Sequence, residues 1–242
     1  MVRYQIILSY DGTEFVGSQR QGLGRTVQGE VEKALRRIGW EGKTILLAGR
    51  TDSGVHAEGQ VATVDLNWGH SLEDLCKAIN TNLPLDIVTR SVNIVPDNFH
   101  PRFDAKSRQY RYCIYCAGVR DPFKERYAWR VWPEVTGLQE LAKIWIGKHD
   151  FAAFGAPAYP NGNTRRTVFN AGWTNDGAEW TFEIEADAFL YHMVRRLVFV
   201  QVAAGNGRIT TNDLGRALKK PRKLLPGLAP AQGLSLINVK YD

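Results

Sequence analysis

Val2, Tyr4, Ile6 and Leu8 alternate with Arg3, Gln5 and Ser9, so the chain opens on a half-buried strand, apolar on one face and wettable on the other. The period of two then gives way to helical spacing and returns, in a definite order. Thr26 is placed to cap a helix carrying Val27, Val31, Ala34, Leu35 and Ile38 on one stripe. Lys43 to Ala48 reads as a short apolar strand, and Ala62, Val64 and Leu66 mark the next by alternation. Ser71 opens a second helix, with Leu72, Leu75, Cys76 and Ile79 at spacings of three and four, and Ile87 to Val95 reads as a strand ending before Pro96. The order is β-α-β-β-α-β.

The second half is expected to repeat it. Arg108 to Cys116 reads as a strand, and Thr136 with Gln139 suggests a capping box for a helix through Leu138, Leu141, Ala142 and Trp145. Thr167 to Thr174 and Trp180 to Ala188 are two more strands, the latter alternating Phe182, Ile184 and Ala186 with Glu183, Glu185 and Asp187. A long helix follows through Leu190, Met193, Val194, Leu197, Val198, Gln201 and Val202, then a shorter one near Thr211 to Leu218, and Gly233 to Val239 makes a last strand. The expectation is an α+β chain of two ferredoxin-like halves, 1–105 and 106–242, whose antiparallel sheets join around a central cleft.

Composition excludes several alternatives. With 44% hydrophobic and 23% charged residues, the chain is neither disordered nor collagen-like nor a disulfide scaffold. Its apolar runs fall well short of the ~20 residues of a membrane helix, and the alternating strand begins where a signal sequence would lie. Three cysteines, an odd number, point to reduced thiols and a cytoplasmic location. Cys113 and Cys116 have the CxxC spacing, but on a strand residues three apart face opposite ways, which spoils a metal pair. Residues 1–105 carry 11 Lys/Arg against 13 Asp/Glu, whereas 106–242 carry 20 against 12. The basic second half suits a polyanion such as nucleic acid.

Ala48-Gly49-Arg50-Thr51-Asp52-Ser53-Gly54-Val55-His56-Ala57 sets a carboxylate on a tight, glycine-flanked loop. Glycines there permit turns and close approach of a ligand. An Asx-turn aspartate paired with Arg50 is the bland reading of Asp52; a carboxylate kept ionised by a guanidinium, ready to act as nucleophile or base, is the sharp one. No His/Cys/Asp cluster has metal-ligand spacing, the five histidines stand singly, and no Gly-x-Ser-x-Gly elbow occurs. By elimination an acid carries any reaction, without a metal.

Arg50-Thr51-Asp52-Ser53-Gly54-Val55-His56 resembles the catalytic loop of the tRNA pseudouridine synthase A (TruA) family, and the resemblance runs along the chain. It includes Tyr10-Asp11-Gly12, Gln19-Arg20-Gln21, Asn82-Leu83-Pro84, Phe99-His100, Tyr110-Arg111-Tyr112, His149-Asp150-Phe151, His192-Met193-Val194-Arg195 and Gly233-Leu234. It implies the pseudouridine synthase fold and an isomerase, a homodimer without cofactor, that converts uridine to pseudouridine at positions 38, 39 and 40 of the tRNA anticodon stem-loop.

In that reading Asp52 is the essential residue, attacking the uracil ring or the ribose anomeric carbon or acting as a base. Tyr110 stacks on the target uracil, Arg195 pairs with the aspartate, and Arg50 supports the extruded nucleotide or holds a phosphate. On its strand alone, Tyr110 with Tyr112 reads as a core aromatic. Arg20, Arg25, Arg165, Arg166 and the cluster of Lys219, Lys220, Arg222 and Lys223 are candidates for phosphate contacts. The chain departs from the family pattern at Ser18, where a tryptophan is usual, at Pro101 and at Asp104. The rival readings are a catalytically silent RNA-binding module and a synthase acting on another RNA.

Overall fold

A computed structural model describes residues 1–220 and 224–242; Arg222 and Lys223 of the basic cluster lie outside the described residues. The fold is mixed α+β with mostly antiparallel strand pairing. Two compact units divide it, one of Met1–Lys106 with Ser235–Asp242 and one of Ser107–Leu234.

In the first unit the strands are β1 (Val2–Tyr10), β2 (Leu46–Leu47), β3 (His56–Leu66) and β4 (Ile87–Ile94), and the helices are α1 (Val27–Arg37) and α2 (Leu72–Asn82). The expected β-α-β-β-α-β order is present. Strand β1 lies between β4 and β3, antiparallel to both. The terminal strand β10 (Leu234–Lys240), expected with the second half, pairs through Ser235 and Leu236 in parallel with His56 and Ala57 of β3. Along β1 the buried residues are Tyr4, Ile6, Leu8 and Tyr10, as the alternation requires. Val27, Val31, Ala34 and Leu35 of α1, with Leu75 and Ile79 of α2, are buried too, each large aliphatic contributing about 1.5–3 kcal/mol by leaving water.

Both first-unit helices begin where the sequence predicts. The Thr26 side chain accepts the Gly29 N–H and the Ser71 side chain accepts the Asp74 N–H, each satisfying a donor the helix leaves open. Only Leu46–Leu47 of the Lys43 to Ala48 stretch forms ladder bonds, antiparallel to Thr63 and Ala62. Strand β3 starts six residues earlier than its alternation suggests.

The second unit departs further from the expected repeat. It holds β5 (Ser107–Cys116), β6 (Trp129–Val131), β7 (Gly147–Asp150), β8 (Arg165–Asp176) and β9 (Glu179–Ala186), with helices α3 (Leu138–Lys143), α4 (Met193–Gly205) and α5 (Thr211–Lys219). Strands β5, β9, β8 and β7 pair antiparallel in that order, and β6 adds in parallel to β5. The Thr136–Gln139 capping box does not form; Gly137 is the N-cap of α3, at φ 69°, with no side-chain cap bond. A true capping box joins Thr210 and Asp213 at α5. Leu190 precedes α4, because His192 at φ 64° turns the chain into that helix. Among the described residues, no helix is long and apolar enough to cross a membrane.

Candidate functional site

Asp52 begins a tight turn immediately before β3. The Val55 N–H returns to Asp52 O at 3.2 Å while Gly54 holds φ 77°, the positive value required at the third position of a type II turn. The turn is fastened to the Phe15 carbonyl, which accepts Ser53 Oγ at 3.1 Å and the Gly54 N–H at 3.3 Å. On the far side His56, almost wholly buried, accepts the Gly12 N–H on Nδ1 at 3.0 Å. That nitrogen also lies 3.2 Å from Asp11 Oδ1, which accepts the Thr13 N–H and hydroxyl.

Asp52 is half-buried at this turn. Arg50, two residues earlier, is exposed and forms no hydrogen bond or ion pair among the described residues. The Asp52–Arg50 pair entertained from the sequence is therefore not formed among the described residues.

Tyr110 and Tyr112 share a face of β5, opposite Ile184 and Phe182 of β9. Tyr110 is buried and meets Phe189 edge-on, ring centroids 5.0 Å apart. Tyr112 is sealed; its hydroxyl donates to Pro230 O at 2.7 Å, and burial pushes its pKa well up despite the opposing field of Arg195. Arg195 occupies the first turn of α4, where Nε donates to Ala229 O at 2.8 Å while the Ala229 N–H donates back to Arg195 O at 3.3 Å. Residues 229 and 230 thus tie Arg195 and Tyr112 together within the second unit.

A family model described as tRNA pseudouridine synthase matches residues 6–104 and 141–242, the stretches that hold the Asp52 loop and Arg195. The chain belongs to the tRNA pseudouridine synthase family. It is thereby an isomerase that converts uridine to pseudouridine in tRNA. Relatives named tRNA pseudouridine synthase A match essentially end to end: one from Chloroflexus aurantiacus is 40% identical over 98% of this chain and 87% of its own length. One from Limosilactobacillus fermentum is 38% identical over 100% and 97%, and one from Geobacillus kaustophilus 39% over 99% and 95%. Tyr110 falls between the two stretches of the family model, inside these full-length matches.

A tRNA pseudouridine synthase needs cations toward phosphate, and the fold sorts the candidates. Arg25 forks onto Asp86 and lies over the Phe15 ring at 4.3 Å, and Arg20 reaches the buried Glu32 at 2.8 Å. Both arginines are engaged in the first unit. Arg166 donates to the carbonyls of Asn163 and Arg165, and burial lowers its pKa. Arg165, Lys219 and Lys220 are exposed. Among the described residues no cluster of His, Cys, Asp or Glu could hold a metal ion. Sequence reasoning missed the residues that hold the Asp52 loop from below, Tyr10, Ser18 and Gln60; their signal is polarity at positions a strand or turn buries.

Proposed function

We propose that this synthase acts on the tRNA anticodon stem-loop at positions 38, 39 and 40, with Asp52 as the essential carboxylate. The observation that carries the reading is the turn itself: a half-buried aspartate fastened at both ends, on a segment matched by the family model. The reaction is a rearrangement. The bond from the ribose anomeric carbon to uracil N1 breaks, a bond to carbon 5 forms, the proton of carbon 5 leaves and N1 takes one up, so the change is balanced without oxidant, metal or cofactor. An ionised carboxylate meets this demand as nucleophile or base.

Tyr110 supplies an aromatic face for the uracil and a hydroxyl near the departing proton. Arg195 is the guanidinium partner of the carboxylate, and its Ala229 bond orients it. A uridine in a stem must leave its stack first, and the unpaired Arg50 supports the extruded state or its phosphate. The enzyme works in the cytoplasm as a homodimer.

Release of tritium from unmodified tRNA labelled at uridine carbon 5 tests the reading, with transcripts carrying a single uridine at 38, 39 or 40. Wild type is expected to release it from all three and Asp52→Asn from none while still binding tRNA. Binding without release by wild type favours a silent RNA-binding module. Full release by Asp52→Asn removes Asp52 from its role, and release only from uridines elsewhere overturns the assigned positions.

A further inference from the structure

The backbone entering Asp52 is pinned on both sides of Arg50 by side chains with no exposed surface. Gln60 of β3 turns its amide back onto Gly49, Nε2 donating to Gly49 O at 2.9 Å and Oε1 accepting the Gly49 N–H at 3.3 Å. Ser18 does the same for Thr51: its Oγ accepts the Thr51 N–H at 2.8 Å, and its own N–H donates to Thr51 O at 3.0 Å. The Tyr10 hydroxyl joins the two, 2.8 Å from Thr51 Oγ1 and accepting Gln60 Nε2 at 3.4 Å. Gly17 at φ 112° brings its own backbone so close that a Cβ would stand 3.0 Å from Thr51 O.

A leucine at position 60 would fill the interior of β3 as well as glutamine does. The buried amide instead spends both polar ends on a single residue of the loop, and an amide there is costly unless so satisfied. Downstream, the Phe15 carbonyl and the Gly54 turn fix the chain after Asp52. With both flanks held, the Asp52 Cα has little freedom, and a carboxylate that must meet one atom of a flipped nucleoside gains from that.

We infer that Gln60, Ser18 and Tyr10 form a buried clamp that positions the Asp52 carboxylate for reaction. The inference rests on Asp52 being the essential carboxylate. These are positioning residues, acting through the loop backbone and not on the substrate.

Single-turnover tritium release with excess enzyme tests the clamp through Gln60→Leu, Ser18→Ala and Tyr10→Phe. The rate constant is expected to fall about a hundredfold for Gln60→Leu and about tenfold for the other two. The amplitude stays at the wild-type value, and tRNA Kd stays within about threefold, for a group that touches no RNA. A structural role alone would lower the amplitude, as the folded fraction shrinks, and leave the rate constant of the remaining enzyme unchanged; that result overturns the inference. Should Gln60→Leu not fold, the rate constants of Ser18→Ala and Tyr10→Phe decide. Asp52→Asn in the same assay separates the two claims. If it is inactive while the clamp variants keep wild-type rate constants, only the clamp fails; if it is active, the assignment of Asp52 fails first.

Discussion

Gly12 lies against the carbonyl of Val55, so that a Cβ at position 12 would stand 1.9 Å from Val55 O. The contact joins the end of β1 to the residue that closes the Asp52 turn, and the neighbouring Gly12 N–H to His56 bond reinforces it. Gly12→Ala must push these backbones apart. Urea unfolding is expected to show a loss of about 3 kcal/mol, at the upper end of overpacking costs, and tritium release should fall with it because the moved segment carries Asp52. Gly22→Ala, with open space around it, should stay within about 0.5 kcal/mol.

The Tyr112 hydroxyl offers a second test, in the other unit. Tyr112→Phe removes the bond to Pro230 O without changing the packing of the ring. A loss of about 1 kcal/mol in denaturant unfolding is expected, because the part-buried carbonyl loses its partner. An unchanged midpoint would show that the hydroxyl contributes nothing there.

Arg3 and Asp65 face each other across β1 and β3, with bonds of 2.7 and 2.8 Å. The hydrogen bond from Arg3 holds the Asp65 carboxyl below its ordinary range. A depressed folded pKa contributes stability above the unfolded value of about 3.9 and loses it as pH falls through the lower folded value. Asp65 is 45% exposed in its side chain, so solvent discounts the pair to about 0.5 kcal/mol. Wild type should exceed Asp65→Asn by that amount at pH 7 and low salt, and the gap should close below the folded pKa and at high salt.

Salt titration of tRNA affinity should distinguish the exposed from the engaged arginines. Arg165→Ala is expected to reduce the slope of log K against log salt by about 1, as loss of one phosphate contact requires. Arg25→Ala should leave the slope unchanged and lower stability instead, since its guanidinium is committed to Asp86. Equal slopes for wild type and Arg165→Ala would exclude Arg165 from the RNA interface.

Elements whose signals are local could be read directly. Thr26 and Ser71 cap their helices because a side chain a few atoms away satisfies the first free N–H, and the alternation of β1 is its burial. Thr136 and Gln139 carried the same signal and failed, since Gly137 in the left-handed region starts the helix one residue later. The first half of β3 was illegible for the opposite reason. Buried on nearly every residue from His56 to Val64, it has no alternation to detect, and Gln60 looks like a surface residue until the loop it serves is known.

The sequence by itself determined the β-α-β-β-α-β order of the first unit, the helix starts at Thr26 and Ser71, and, through motifs spread over the whole chain, the family and Asp52 as the residue to examine. These depend on contacts within a few positions or on the identity of residues alone. Only the tertiary structure decided that Arg50 does not pair with Asp52, that β10 pairs with β3, and that Tyr10, Ser18 and Gln60 close on the loop from 41, 33 and 11 positions away. Buried polar groups find partners by position in space, and spacing along a single chain does not carry that information.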